Sequence, residues 1–113
     1  IAKRMLLRLG CEVEVAVDGE EAVAAVSDIA FDIVLMDCQM PRMDGFEATR
    51  MIRKLPARAR HTPIIALTAS GFRDDEQRCR RAGMDDYLAK PIGSQVLADK
   101  LMAHWMRSSD SSI

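Results

Sequence analysis

The stretch that decides the fold is residues 33–49, which read IVLMDCQMPRMDGFEAT. It opens with four consecutive apolar residues, Ile33 to Met36, and a short run of this kind is typical of a strand buried on both faces of a parallel sheet. Asp37 follows at once, and Pro41 and Gly45 then break the chain before the next helical pattern. A carboxylate directly after a buried strand is costly unless it is solvated, paired or bound to a metal, so Asp37 is the first candidate for a functional residue.

Around this stretch the chain alternates between strand-like and helix-like patterns. Further strands are predicted over residues 12–16, 64–67 and 86–89, and helices over residues 1–9, 20–26, 48–55, 73–81 and 96–105. In the last helix the predicted apolar stripe consists of Val96, Leu97, Leu101 and Trp105. Strands that alternate with helices predict right-handed crossovers and a parallel sheet covered on both faces, which is an α/β fold.

The carboxyl ends of the predicted strands carry polar side chains. In open parallel sheets the functional site forms just beyond these ends. Thr68 closes the second apolar run, and Lys90 closes the last one, directly before Pro91. Each residue has an ordinary explanation, since Asp37 could cap a turn, Thr68 could satisfy strand-end backbone and Lys90 could be a surface lysine. Their joint placement at three strand ends favours a site in which an acid, a hydroxyl and an amine converge.

Composition limits the classes of protein to which the chain can belong. Its 113 residues are one domain's worth, 49% of them are hydrophobic, and the formal net charge of −1 favours neither nucleic acid nor an anionic membrane. Cys11, Cys38 and Cys79 are odd in number and widely spaced, which argues against a disulfide framework or zinc site and fits a reducing cytosol. His61 and His104 are predicted to be surface or packing residues rather than metal ligands.

Three segments resemble the receiver domains of response regulators, the CheY-like family. They are residues 34–49, 63–69 and 82–91, which read VLMDCQMPRMDGFEAT, PIIALTA and AGMDDYLAKP. The first is most similar to receiver domains of hybrid sensor histidine kinases, where an MDCQMPxMDG stretch is common. The resemblance implies a flavodoxin-like, doubly wound parallel sheet of strand order 2-1-3-4-5 in three α/β/α layers. It would cover residues 1–107, with residues 108–113 as a polar tail or linker.

The resemblance also implies a role for five residues. Asp37 matches the phosphoacceptor, Thr68 the switch hydroxyl that contacts the phosphoryl group, and Lys90 the lysine that pairs with its oxygens. Tyr87 matches the aromatic switch position that changes rotamer on activation. Mg²⁺ would be bound by Asp37 and by the backbone carbonyl of Gln39.

The sequence departs from the family at its beginning. The family starts with a strand that ends in an acidic pair holding Mg²⁺, whereas residues 1–10 resemble the second part of the first helix. The acidic pairs Asp74-Asp75 and Asp85-Asp86 fall at other places, so the metal-binding pair cannot be assigned. We therefore expect the 113 residues alone not to form a stable Mg²⁺-binding monomer, with the first strand supplied by residues ahead of Ile1 or by a second chain.

The expected function is that of a phosphoacceptor in a two-component phosphorelay in the cytoplasm. The donor would be a phosphohistidine on a histidine kinase or a histidine phosphotransfer domain, and no direct contact with nucleic acid or membrane is expected. The domain would be mainly a phosphoacceptor, and the resemblance favours a hybrid sensor histidine kinase as its parent protein, of which it would be a cytosolic part. Two alternatives stay open: a receiver-like interaction module that takes no phosphate, and the receiver half of a DNA-binding response regulator whose effector domain would lie beyond Ile113. A flavin or nucleotide enzyme is disfavoured because the chain has no glycine-rich phosphate loop.

Overall fold

A computed structural model describes residues 2–69 and 73–111 of the chain. The strands are β1 (Val34–Asp37), β2 (Ile64–Thr68) and β3 (Asp86–Ala89). The helices are α1 (Ala2–Arg8), α2 (Gly19–Asp28), α3 (Gly45–Ile52), α4 (Arg73–Ala82) and α5 (Ser94–Ser111), and a short 3₁₀ helix covers Ala57–His61. In this part of the chain, no helix is both long enough and apolar enough to cross a bilayer.

The three strands form one parallel sheet in the order β1-β2-β3. Val34 lies opposite Ile64, and Ile65 lies opposite Asp86. All five residues of β2 are buried because this strand is central and both faces of the sheet are covered. The three strands predicted over residues 33–36, 64–67 and 86–89 are thus confirmed to within one residue at each end, in an order that agrees with the last three positions of the predicted sheet.

Successive side chains of β2 point to opposite faces of the sheet and enter two separate cores. Ile64 and Ala66 pack in a core with apolar residues from α2, α3 and α4. Ile65 and Leu67 pack on the other face with Leu97 of α5 and with partly buried residues of α1. The predicted α/β/α layering is therefore confirmed, and the carboxyl ends of all three strands meet at one edge.

The strand predicted over residues 12–16 is wrong for the described structure, in which residues 12–17 form no regular element. Val15 and Val17 are 57% and 68% exposed. Alternating polarity predicts a surface with one wet face, but a strand also needs a neighbour to which its backbone groups can bond. Within residues 2–69 and 73–111 the sheet has only three strands, and none of them borders this segment.

The apolar stripe of α5 differs from the predicted one. Leu97 is fully buried and Leu101 packs beside it, whereas Val96 and Trp105 are each about half exposed. Residues at i, i+4 and i+7 share a helix face, so the buried position after Leu97 and Leu101 is His104, which is 5% exposed.

The same helix continues to Ser111. Residues 108–111, which the polar composition marked as a tail, are therefore helical. Residues 112–113 of that predicted tail lie outside the described part of the chain. The division of the chain at residue 107 stays a prediction.

Candidate functional site

Asp37 and Lys90, which lie 53 positions apart in the sequence, meet at the carboxyl edge of the sheet. The Nζ of Lys90 lies 2.6 Å from Oδ2 of Asp37. The two side chains are 34% and 43% exposed, so this charged pair faces solvent at the rim. The backbone amide of Lys90 donates to the carbonyl of Thr68, 2.8 Å away, and this bond brings the end of β3 to the end of β2. The predicted convergence of an acid and an amine is present.

Thr68 lies at the same edge, one position beyond the residue that pairs with Asp37 in the ladder. Its side chain is buried, and its hydroxyl donates to the carbonyl of Leu88 at 3.5 Å. The hydroxyl therefore interacts with β3. Residues 70–72, which follow this strand, lie outside the described part of the chain.

Gln39 contacts the charged pair directly, whereas Tyr87 lies on β3 and packs against the core. The amide of Gln39 donates to Oδ1 of Asp37 at 3.0 Å, so this turn fixes the carboxylate from the side opposite Lys90. Tyr87 lies opposite Ala66 in the sheet, is partly buried, and packs against the core beneath α2, α3 and α4. Gln39 therefore lies beside Asp37, and Tyr87 lies on the strand that ends one residue before Lys90.

The segment 38–45, here called the acceptor loop, is short and closely packed. The amide of Gly45 donates to the carbonyl of Cys38 at 3.1 Å. A Cβ on Gly45 would lie 2.2 Å from the carbonyl oxygen of Asp37, so a larger residue could not adopt this approach. Asp44 caps α3 by accepting a bond from the amide of Glu47 at 2.8 Å. These contacts hold Asp37 at the end of its strand.

The beginning of α2 is bonded to the same loop, which the sequence reasoning missed. The amide of Gly19 donates to the carbonyl of Met43 at 3.1 Å, and a Cβ on Gly19 would lie 2.3 Å from that oxygen. Asp18 caps α2 through Oδ1, which accepts from the amide of Glu21, while Arg42 donates to Oδ2 at 3.3 Å. The capping pattern was visible in the sequence, but the loop as a partner of Gly19 and Asp18 was not.

The acidic pair Asp85-Asp86 lies away from this edge. Asp85 accepts bonds from Arg53 and from the amide of Ile64, at the amino end of β2. Asp86 accepts bonds from Lys100 and the amide of Tyr87, and it lies 3.1 Å from the His104 ring. The side chains of Asp74 and Asp75 lie outside the described part of the chain. The expectation that neither pair takes the place of the family's metal ligands is therefore supported for Asp85-Asp86.

Asp37 supplies only part of a metal site. Within the described residues, no three His, Cys, Asp or Glu side chains cluster closely enough to hold a metal ion. The carboxylate of Asp37 and the carbonyl of Gln39 are hard oxygen ligands of the kind that Mg²⁺ prefers. Mg²⁺ usually keeps several waters, so two oxygens fit a partial site that needs water, phosphate or further protein oxygens to complete it.

Among the described residues, the pKa of Asp86, at the amino end of β3, is shifted. Burial raises the pKa of Asp86, but hydrogen bonds from Lys100, from the amide of Tyr87 and from His104, together with the charge of Lys100, outweigh it. The net effect is that the pKa of Asp86 lies below its ordinary value of 3.8. This carboxylate links α5 to β3, one residue before Tyr87.

Comparison with known proteins places these features in one family. The model of the response regulator receiver domain matches residues 1–102. A probable histidine kinase 2 of rice (Oryza sativa subsp. indica) is 47% identical over 107 residues, which cover 81% of this chain and 10% of the relative. The sensor protein GacS of Pseudomonas syringae is 42% identical over 104 residues, covering 90% of this chain and 12% of the relative. The chain thus spans about a tenth of the length of these two curated relatives.

Solved structures agree with this assignment. The receiver domain of a sensor histidine kinase from Pseudomonas aeruginosa is 41% identical, with a TM-score of 0.85 over 92% of this chain and 84% of that one. That domain was crystallised with a magnesium ion coordinated in its active site cleft. The chemotaxis protein CheY4 of Vibrio cholerae is 32% identical, with a TM-score of 0.81 over 90% of this chain and 84% of that one. The family match over residues 1–102 includes Asp37, Thr68 and Lys90.

Proposed function

Because this chain belongs to the response regulator receiver domain family, we propose that Asp37 is its phosphoacceptor in a two-component phosphorelay. The observation that carries the proposal is the contact of 2.6 Å between Lys90 Nζ and Asp37 Oδ2 at the carboxyl edge of the sheet. A carboxylate that is about one-third exposed, bound by a cation and fixed by a backbone amide can be reached by a partner while it keeps its orientation. The phosphate donor is a phosphohistidine on a histidine kinase or a histidine phosphotransfer domain.

In the proposed transfer, a carboxylate oxygen of Asp37 attacks phosphorus in line with the phosphorus–nitrogen bond of the donor. A phosphorus–oxygen bond forms and the phosphorus–nitrogen bond breaks, and its electron pair stays on the imidazole nitrogen. The product is an acyl phosphate on Asp37. Lys90, already beside the carboxylate, places its positive charge against the phosphoryl oxygens, where negative charge accumulates.

Mg²⁺ is the cofactor that we propose for this site. When bound, it would neutralise charge on the phosphoryl oxygens. Asp37 and the Gln39 carbonyl would be its ligands from this chain, with waters and groups beyond the described residues completing the shell. The P. aeruginosa domain with magnesium in its cleft supports this proposal, as does the hard-oxygen character of both ligands.

We also propose that Thr68 and Tyr87 are the switch residues. An acyl phosphate carries roughly −1.5 to −2 charges on its phosphoryl oxygens, where the carboxylate of Asp37 carried −1, and it places this charge farther from the end of the strand. The Thr68 hydroxyl, now bonded to the carbonyl of Leu88, can exchange that acceptor for a phosphoryl oxygen. Tyr87 is only partly buried, so its ring can move when Thr68 does. A change of charge at one edge would in this way change the surface around β3.

For the parent protein, we propose a hybrid sensor histidine kinase in which this domain works in the cytoplasm. The support is that the rice and P. syringae relatives are a histidine kinase and a sensor protein, and each is far longer than the matched segment. In such an arrangement the phosphate passes from a kinase histidine to Asp37, and then either stays as a signal or moves to a histidine phosphotransfer domain.

The first prediction tests the acceptor. Because the 113 residues alone are not expected to form a stable Mg²⁺-binding monomer, the experiments use a domain that includes the first strand, and this domain is called the unaltered chain. Incubation with acetyl phosphate and Mg²⁺ should add one base-labile phosphoryl group to the unaltered chain, and the variant Asp37→Asn should gain none because an amide is a poor nucleophile. Intact-protein mass spectrometry measures both. Asp44→Asn is the matched control, since it removes a carboxylate from the same loop while asparagine still caps α3. Labelling of Asp37→Asn at the rate of the unaltered chain would show that the acceptor lies elsewhere.

A further inference from the structure

Arg42 has an unusual backbone for its residue type. Its φ is +66°, and it is the only residue other than glycine with a positive φ in residues 2–69 and 73–111. This left-handed conformation is sterically unfavourable for an L-residue with a Cβ, whereas glycine adopts it readily. Strained residues of this kind persist where neighbouring contacts determine them, and they are concentrated at functional sites. The acceptor loop therefore presents an arginine at a position where glycine would be the easier residue.

The two partners in the ion pair of Arg42 differ strongly in exposure. Its side chain is 73% exposed, whereas that of Asp18, 3.3 Å away, is 7% exposed. Asp18 is fixed because its other oxygen caps α2. An ion pair with one partner so exposed contributes little to stability, because solvent screens the charge of the exposed partner. Arg42 can therefore exchange Asp18 for another carboxylate at small cost, while Asp18 keeps its place.

The position of Arg42 determines what can reach it. A donor phosphohistidine must come within bonding distance of Asp37, so the surface around that histidine must cover the acceptor loop. A guanidinium presents a planar fork of N–H donors that matches a carboxylate in two parallel bonds.

We infer that Arg42 is a specificity-determining contact for the phosphodonor protein, and that it binds a carboxylate beside the donor's phosphohistidine. The inference rests on the proposed function of Asp37. In the free domain Asp18 occupies the guanidinium, and in the complex the donor's carboxylate takes its place. Arg42 then orients the donor and does not touch the phosphoryl group.

The test compares two phosphate donors on the variant Arg42→Gln, which removes the charge and keeps most of the stem. The protein donor is a phosphorylated histidine phosphotransfer domain that labels the unaltered chain, and the small donor is acetyl phosphate. With the protein donor at low ionic strength, the second-order rate constant of phosphotransfer to Arg42→Gln should be about threefold or more below that of the unaltered chain. The ratio of the two rate constants should approach one as added salt screens the charges. With acetyl phosphate, the rate should stay within about twofold of the unaltered chain.

The matched control is Arg80→Gln. Arg80 is also 73% exposed and pairs with a carboxylate, that of Glu76 at 3.2 Å, but it lies near the end of α4 that leads to the amino edge of the sheet. It should leave both rates unchanged, and circular dichroism should show all three proteins folded. An equal loss with both donors would overturn the inference, because Arg42 would then act on the phosphoryl group or on the loop. An unchanged rate with the protein donor would also overturn it. If neither acetyl phosphate nor any phosphorylated histidine phosphotransfer domain labels the unaltered chain, the proposed function is overturned, and this inference with it.

Discussion

At the scale of single residues, the carboxylate of Asp37 has both oxygens engaged before any phosphate arrives. One oxygen accepts a bond from the amide of Gln39, and the other lies beside the ammonium group of Lys90. The backbone bond orients the carboxylate, and in the proposed transfer the ammonium group of Lys90 would exchange the carboxylate oxygen for a phosphoryl oxygen. The Lys90 side chain therefore has to follow the charge as it moves from carboxylate to phosphate.

This geometry separates the contribution of Lys90 to stability from its contribution to switching. We expect Lys90→Met to change the free energy of unfolding by less than about 1 kcal/mol, because the pair is 43% and 34% exposed. We also expect the variant to lose most of the change in amide chemical shifts along β2 and β3 on phosphorylation, because nothing would draw the phosphoryl group toward β3. Denaturant unfolding and NMR spectra with acetyl phosphate measure the two effects. Shift changes equal to those of the unaltered chain would contradict the role proposed for Lys90.

The sequence was sufficient to predict Asp37 and Lys90, and it was insufficient for Arg42. The first two close apolar runs, and parallel strands bring their carboxyl ends together, so their positions along the chain determine their proximity. The placement of Arg42 depends on a left-handed backbone and on a contact with a residue 24 positions earlier, Asp18. No local pattern encodes either feature, because the neighbouring residues of the loop and of α2 determine both together.

At the scale of elements, the polar contacts between α5 and β3 converge on one carboxylate. Asp86 on β3 accepts from Lys100 at 2.8 Å and lies 3.1 Å from the ring of His104, and both of these partners lie on α5. The spacing of apolar residues predicts this helix but places Trp105 in its buried stripe, because the pattern counts apolar residues only. A histidine occupies that face because a carboxylate on the neighbouring strand gives its ring a polar partner.

The shifted pKa of Asp86 makes a prediction about stability and pH. Because its folded pKa lies below the ordinary value of 3.8, the carboxylate stabilises the fold above about pH 4, and this contribution is lost as the pH falls through the folded pKa. The free energy of unfolding should therefore fall less between pH 5 and pH 2.5 in Asp86→Asn than in the unaltered chain. Urea unfolding at several pH values measures the difference. Asp99→Asn, on the exposed side of α5, is the control and should follow the unaltered chain; equal slopes for Asp86→Asn would refute the coupling.

At the scale of the whole molecule, the carboxyl and amino ends of the parallel strands carry different groups of residues. The carboxyl edge carries Asp37, Lys90 and the acceptor loop, while the amino edge is held together by Arg53. That guanidinium donates to the carbonyls of Gly83, Arg60 and Thr62 and to the carboxylate of Asp85, at distances of 2.7 to 2.9 Å. One side chain at the end of α3 thus joins the 3₁₀ helix, the start of β2 and the turn before β3.

The sequence predicted the overall architecture because strand–helix alternation and crossover handedness leave few arrangements open. It did not predict Arg53, since its partners are mostly backbone carbonyls, which every residue has and no pattern distinguishes. The strand expected over residues 12–16 failed for a related reason. A sequence shows which face of a segment is apolar, but a strand forms only where a neighbouring strand provides partners for its backbone hydrogen bonds.

The separation of the two edges predicts that stability and phosphorylation can be altered independently. Arg53→Met removes four hydrogen bonds from a side chain that is only 22% exposed, which leaves carbonyls and one carboxylate without this partner. We expect a loss of about 2–3 kcal/mol in the free energy of unfolding, since charged hydrogen bonds contribute roughly 1.5–3 kcal/mol each and do not add fully.

The matched control is Arg58→Met, on the exposed surface of the 3₁₀ helix, which should lower the free energy of unfolding by less than about 0.5 kcal/mol. Under conditions where each protein is fully folded, both variants should accept phosphate from acetyl phosphate at the rate of the unaltered chain. A stable Arg53→Met variant would mean that these bonds only replace bonds to water, whereas a folded variant with slower labelling would mean that the amino edge also positions Asp37.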